Sequence, residues 1–179
     1  MEQVMKTLVI IDMQQGMFSV PEFVPHEGAA VIARIRSLLD QARGKKTPVF
    51  FVQHDGGPDH PLAYGTHGFD IVAELAPVAG EPVIVKRKCN MFQDTELDAT
   101  LKSAGITHLV ICGMQTEYCV DTGVRASVDR GYEVTLVSDG HTTGDTPTLT
   151  AAQVIAHHNQ ILAGDFADIR PASVIRLDA

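Results

Sequence analysis

Apolar residues in this chain gather into short blocks separated by longer amphipathic stretches. The first block, Thr7-Leu-Val-Ile-Ile11, is β-branched and uninterrupted, as expected of a strand buried on both faces. Between Glu27 and Arg43, Ala30, Ile32, Ile35, Leu38, Leu39 and Ala42 recur at three- and four-residue spacing, which predicts a helix closed by Gly44. Pro48–Val52 reads as a second strand, and Gln53–Phe69, rich in Gly, Pro, His and Asp, as a loop. Pro82–Val85 is a third strand, Glu96–Ala104 a short helix with Gly105 behind it, and Thr107–Cys112 a fourth strand. A helix over Glu117–Arg130, a fifth strand over Glu133–Val137 and a helix over Leu149–Leu162 follow. Ala172–Ile175 is a marginal sixth strand.

Strands that alternate with helices need crossover connections, so the pattern predicts a mainly parallel sheet covered on both faces. The expected fold is a three-layer α/β/α domain with about six strands, and the 179 residues read as a single domain, 1–179. Such sheets bind ligands beyond the carboxyl ends of their strands.

Hydrophobic residues are 45% of the chain and charged residues 20%, enough apolar material for a sizeable core and against wholesale disorder. The formal net charge of −8 repels phosphates, and the densest basic stretch is only Lys86-Arg87-Lys88, so a nucleic-acid partner is not expected. No segment reaches the roughly 20 apolar residues of a bilayer span. The start, MEQVMKTLVIID, lacks a secretory pattern, and three cysteines do not make a disulfide framework. These features point to a cytoplasmic protein with at least one free thiol to explain.

Placed on the predicted sheet, three reactive residues converge. Asp12 ends the first strand, Lys86 ends the third, and Cys119 follows the fourth by one tight turn, so all three fall at one edge. With Thr116 as N-cap, Cys119 sits at the third helical position, where the positive helix end favours a thiolate. Position alone leaves a plainer role open for each. Cys119 neighbours the buried stripe Val120, Val124 and Val128, Asp12 can cap a turn, and a lysine at a strand end is commonly solvated. Cys112 falls inside a buried strand. Cys89 follows the basic triplet without a helix end or base, and ranks behind Cys119. The stretch His54–His60, with His67 beyond, matches no tight metal-ligand spacing, so no metal is expected. Phosphate-binding glycine loops are absent, and no cofactor is expected; G-x-S-x-G is absent too, so a serine-hydrolase elbow has no support.

The segment opening Val110-Ile-Cys-Gly-Met-Gln-Thr-Glu-Tyr-Cys-Val120 and running through Gly131-Tyr-Glu-Val134 resembles the signature of the isochorismatase-like cysteine hydrolases. Leu8-Val-Ile-Ile-Asp-Met-Gln-Gln-Gly-Met-Phe18 resembles that family's first strand, and Val83-Ile-Val-Lys-Arg87 its lysine strand. The resemblance implies a catalytic trio on Asp12, Lys86 and Cys119. It also implies a cis Met114–Gln115 peptide that aims the N–H groups of Gln115 and Cys119 at an oxyanion. The implied reaction is attack of Cys119 on a small amide-like carbonyl, with a thioester intermediate and Asp12 as proton carrier. A homodimer or higher homo-oligomer is implied as well.

Departures from the family pattern narrow these expectations. Members acting on isochorismate cleave a vinyl ether and need no cysteine, whereas this chain keeps one, which favours a carbon–nitrogen bond. The Asp-x-His pair of metal-binding nicotinamidase-like members is altered here to Gln53-His54-Asp55-Gly56. Where the family often has Ser-Ala-Phe, this chain has Asn90-Met91-Phe92. Phe18, Phe92 and Tyr118 are candidate apolar walls of the substrate pocket, with core packing as their alternative role. Three rival readings remain: a vinyl-ether hydrolase, a binding protein on the same fold, and a thiol-redox protein pairing Cys89 with Cys119.

Overall fold

The computed structural model describes residues 5–21 and 23–178. Six strands form one sheet: β1 (Lys6–Ile11), β2 (Val49–His54), β3 (Val83–Lys86), β4 (His108–Met114), β5 (Glu133–Thr142) and β6 (Asp168–Arg170). Their order is β3-β2-β1-β4-β5-β6, and every neighbouring pair is parallel. The helices are α1 (Gly16–Ser19), α2 (Gly28–Lys45), α3 (Leu97–Ser103), α4 (Asp121–Val128) and α5 (Ala151–Leu162).

Alternate residues of β1 serve two separate cores, which is why its run is apolar throughout. Val9 and Ile11 pack with Val120 and Val124 on one face, and Leu8 and Ile10 with Ile35, Leu38 and Leu39 of α2 on the other. The predicted three-layer α/β/α arrangement is therefore the observed one. Strand order reverses between β1 and β4, and the crevice beyond their carboxyl ends is the usual ligand position in such sheets.

The sixth strand lies at Asp168–Arg170 rather than at the expected Ala172–Ile175. Pro171, which has no N–H for a ladder, ends it, and Ala172–Val174 coil into a 3-10 turn. Three residues with one apolar member, Ile169, gave too short an alternation to read. β5 runs on to Thr142, five residues past the predicted end, past an irregularity in its pairing with β4 between Ile111 and Gly113. α5 starts at Ala151 rather than Leu149. Thr150 accepts the N–H of Gln153, whose side chain caps the N–H of Thr150 in return.

Gly113 is paired with Ile11 at the end of the β1–β4 ladder. Its φ is +125°, and a Cβ there would lie 2.0 Å from the carbonyl oxygen of Ile11. Only glycine permits this approach, which brings the loop after β4 against the residue after β1.

Candidate active site

Asp12 follows β1 with φ +51°, a left-handed conformation that aspartate tolerates better than most residues. Its N–H donates to Val52 O, which anchors the turn to β2. Its carboxylate is buried, with a side-chain exposure of 4%. Lys86 comes from edge strand β3, whose Ile84 and Lys86 turn inward while Val83 and Val85 are exposed. The lysine side chain is fully buried and reaches past β2 to Asp12.

The Lys86 ammonium has three hydrogens and three acceptors in reach. Nζ donates to Asp12 Oδ2 at 2.8 Å and to Cys119 Sγ at 3.1 Å, and lies 3.3 Å from His54 Nδ1. Burial alone would lower the Lys86 pKa, but the Asp12 carboxylate, and the hydrogen bonds to Asp12 and Cys119, outweigh it and hold the group above the ordinary lysine value. Asp12 Oδ1, also buried, has no hydrogen-bond partner among the described residues.

Cys119 sits in a π-type turn, Thr116–Val120, that precedes α4, and is 8% exposed. This departs from the predicted helix over Glu117–Arg130. Gln115, not Thr116, takes the N-cap position, without a side-chain cap. The Thr116 hydroxyl lies instead 2.9 Å from His141 Nδ1. In an α-helix the Gln115 carbonyl would accept the N–H of Cys119. Here it accepts those of Tyr118 and Val120 and passes over Cys119. The peptide bond between Met114 and Gln115 is cis. Burial, and then the neighbouring Asp12 carboxylate, push the Cys119 thiol well above its usual range, against the depressing effect expected of a helix start. The resting group is a thiol that needs a base.

A cavity of about 200 Å³ opens onto Asp12 and Cys119, lined by these two with Met17, His54, His60, Leu62, Cys89, Gln115 and Tyr118. Of the three expected wall residues, only Tyr118 is there. Phe18 packs against the α2-side core, and its place is taken by its neighbour Met17. Phe92 belongs to the opposite core and stacks on Tyr132, with the Arg130 guanidinium 4.5 Å from its ring centre. Both departures have one cause: short-range sequence does not reveal which way a loop side chain turns. Cys89, an exposed free thiol, is on the cavity wall.

Residue patterns pointed to His54 and His60 only as metal ligands, and gave no signal for Gln14 or His141. Buried Gln14 accepts the N–H of His54 and donates to the carbonyls of His54 and Phe69, so it fixes the end of β2. His141 bridges Thr116 and Asn159, whose amide nitrogen donates to Ser138 O. The donor set does not suit a nicotinamidase-type metal. Asp55 is committed to the N–H groups of Gly57 and Tyr64 and to Arg87. Among the described residues no three His, Cys, Asp or Glu side chains are grouped to hold an ion.

A doubly wound α/β domain that buries a cysteine, a lysine and an aspartate at its strand ends is the class defined by this geometry. The sequence profile of the isochorismatase domain matches residues 6–161, and the chain belongs to that family. It is 37% identical over 142 residues to a streptothricin hydrolase of Streptomyces noursei, covering 79% of this chain and 51% of that one. It thus spans about half the length of that relative. Over 153 residues it is 31% identical to the ureidoacrylate amidohydrolase RutB of Serratia proteamaculans (strain 568), covering 66% of this chain and 62% of that one. The crystal structure of an isochorismatase from Pseudomonas putida KT2440 superposes with a TM-score of 0.90 at 32% identity, covering 96% of this chain and 90% of that one. No helix among the described residues is long and apolar enough to cross a membrane.

Proposed function

We propose that this protein hydrolyses a carbon–nitrogen bond of a small amide, with Cys119 as nucleophile and a thioester intermediate. The observation that carries the reading is the buried Asp12–Lys86–Cys119 cluster with Asp12 Oδ1 left open. Lys86 holds one carboxylate oxygen and the sulfur in place. The free oxygen, Oδ1, accepts the thiol proton as Sγ attacks the substrate carbonyl. The N–H groups of Gln115 and Cys119 receive the developing oxyanion. The π-type turn supports this role for Cys119, because the Gln115 carbonyl passes over its N–H. Asp12 then gives the proton to the departing nitrogen, the amine leaves, and the acyl group stays on sulfur. Water, deprotonated by Asp12, cleaves the thioester to a carboxylic acid and restores the thiol. Relatives named as a streptothricin hydrolase and an ureidoacrylate amidohydrolase support an amide-type substrate.

The test is intact-mass spectrometry of the protein after rapid quenching with a panel of small amides. The expected result is an acyl mass increment on Cys119, absent from Cys119→Ser, and accumulated in Asp12→Asn only if attack still proceeds. Amide turnover that survives Cys119→Ser sinks the nucleophile assignment, and hydrolysis of a vinyl ether that survives it, with no amide used, favours the vinyl-ether chemistry that needs no thiol.

A further inference from the structure

The cavity wall carries two imidazoles whose hydrogen-bonding roles are set by their neighbours. His54 Nδ1 lies 3.3 Å from Lys86 Nζ, an ammonium that can only donate, so Nδ1 is the acceptor and Nε2 carries the hydrogen. His60 Nδ1 accepts the backbone N–H of Leu62 at 3.1 Å, which again leaves the hydrogen on Nε2. The His60 ring packs onto Gly56, where a Cβ would lie 2.1 Å from ring atoms, so the loop holds it in position. The two ring centres are 6.1 Å apart at an interplanar angle of 72°. Neither Nε2–H has a protein acceptor among the described residues, and both rings line the cavity with Cys119. Burial, then Lys86, lower the His54 pKa, so this ring is a neutral donor at ordinary pH.

The formal charges around the cavity define the rest of the substrate. Asp12 is the wall's carboxylate, and neither lysine nor arginine lines the cavity. Lys86 behind it is engaged by Asp12 and Cys119. Arg87, which lines a different cavity, is paired with Asp55 at 3.0 Å. A carboxylate on the substrate would therefore meet the Asp12 charge with neutral imidazole donors and no cation on the wall to offset the repulsion, a costly arrangement in so small a space. A volume of about 200 Å³ is also below the usual 300–1,000 Å³ of sites for drug-sized ligands.

From these observations, and resting on the amide-hydrolase reading above, we infer that the substrate is a small neutral amide with a second carbonyl. The oxygen of that carbonyl is received by the Nε2–H groups of His54 and His60 while the first carbonyl faces Cys119. Imides, acylureas and diamides have this form. Hydrolysis consumes one water, breaks the carbonyl–nitrogen bond nearest sulfur, and gives a carboxylic acid and the protonated nitrogen fragment: ammonia or an amine from a diamide, an amide from an imide, a urea from an acylurea.

Three matched compounds test it: malonamide, with a second neutral carbonyl; malonamate, with a carboxylate in its place; and propionamide, with neither. Turnover and protection of Cys119 from iodoacetamide are both measured. Malonamide is expected to exceed each of the others at least tenfold in kcat/KM. In His60→Phe, and in His54→Gln, which keeps an acceptor for Lys86, the malonamide-to-propionamide ratio is expected to fall toward unity. Equal use of malonamide and propionamide, a preference for malonamate, or a ratio unchanged in both variants overturns the inference. So does malonamide that neither turns over nor protects Cys119. Turnover that persists in Cys119→Ser instead overturns the underlying nucleophile assignment, so the two failures are distinguishable.

Discussion

Replacing Lys86 with Met keeps most of the aliphatic stem and removes the ammonium that three groups share. Asp12 then loses its cation partner in a site where its side chain is 4% exposed. At 2.8 Å and an effective dielectric of about 20, the direct attraction lost is about 6 kcal/mol. Part of that attraction already offsets the cost of burying both charges, so truncating one partner costs about 3–5 kcal/mol. For a chain of this size, each kcal/mol moves the melting temperature by roughly 2–4 °C, so the expected drop is roughly 6–20 °C. Urea unfolding at pH 7 measures the loss, and the double variant Asp12→Asn/Lys86→Met measures its origin. With both charges gone, the double variant is expected to regain at least about 2 kcal/mol over Lys86→Met alone. The pH dependence supplies a second check. Lys86 is held above its ordinary value, so its contribution is complete below the unfolded lysine pKa and is lost as pH rises through the folded one. The stability gap between wild type and Lys86→Met should therefore narrow in strongly alkaline solution and stay constant at neutral pH. A loss below about 1 kcal/mol, the range of surface ion pairs, or strictly additive single effects would refute the account of a buried, coupled centre.

Other consequences can be checked separately. Burial pushes His141 down to about 4 despite its bond to Asn159, so the folded protein keeps it neutral where the unfolded chain takes a proton. Stability from this site is present above about pH 6.5 and is lost as pH falls toward 4, by about 3 kcal/mol at most. Chemical denaturation at pH 7 and pH 4.5 should show this loss in wild type, reduced in His141→Asn. Gly113→Ala places a Cβ against Ile11 O at a φ of +125°, and a loss of roughly 2–6 kcal/mol is expected from strain and overpacking. A neutral result in thermal unfolding would show that β4 does not need this close approach. Leu62→Trp at the cavity wall should exclude substrate, raise KM and slow iodoacetamide labelling of Cys119. Unchanged labelling would mean that the reagent reaches sulfur by another path.

Much of this molecule was legible in one dimension. Uninterrupted β-branched runs identify strands buried on both faces, and helical periodicity between them requires crossovers, so a parallel three-layer sheet follows. Parallel strands all end on one side, which is enough to gather Asp12, Lys86 and Cys119 at a common edge. Resemblance to a family signature then gave the trio its expected chemistry.

The contacts that give the edge its character come only from tertiary structure. Strand order puts β2 between Asp12 and Lys86, and the turn after β1 and the inward face of β3 bring the two side chains to 2.8 Å. The π-type turn at Cys119 depends on packing against neighbouring elements, including the His141 network, and its residues alone read as an ordinary helix start. His54 and His60 have no periodicity to betray them, because loop side chains are aimed by closure and local hydrogen bonds rather than by a repeating backbone. Periodic backbone geometry projects onto sequence as pattern. Contacts between distant segments have no such projection, and here those contacts set which atoms face the cavity.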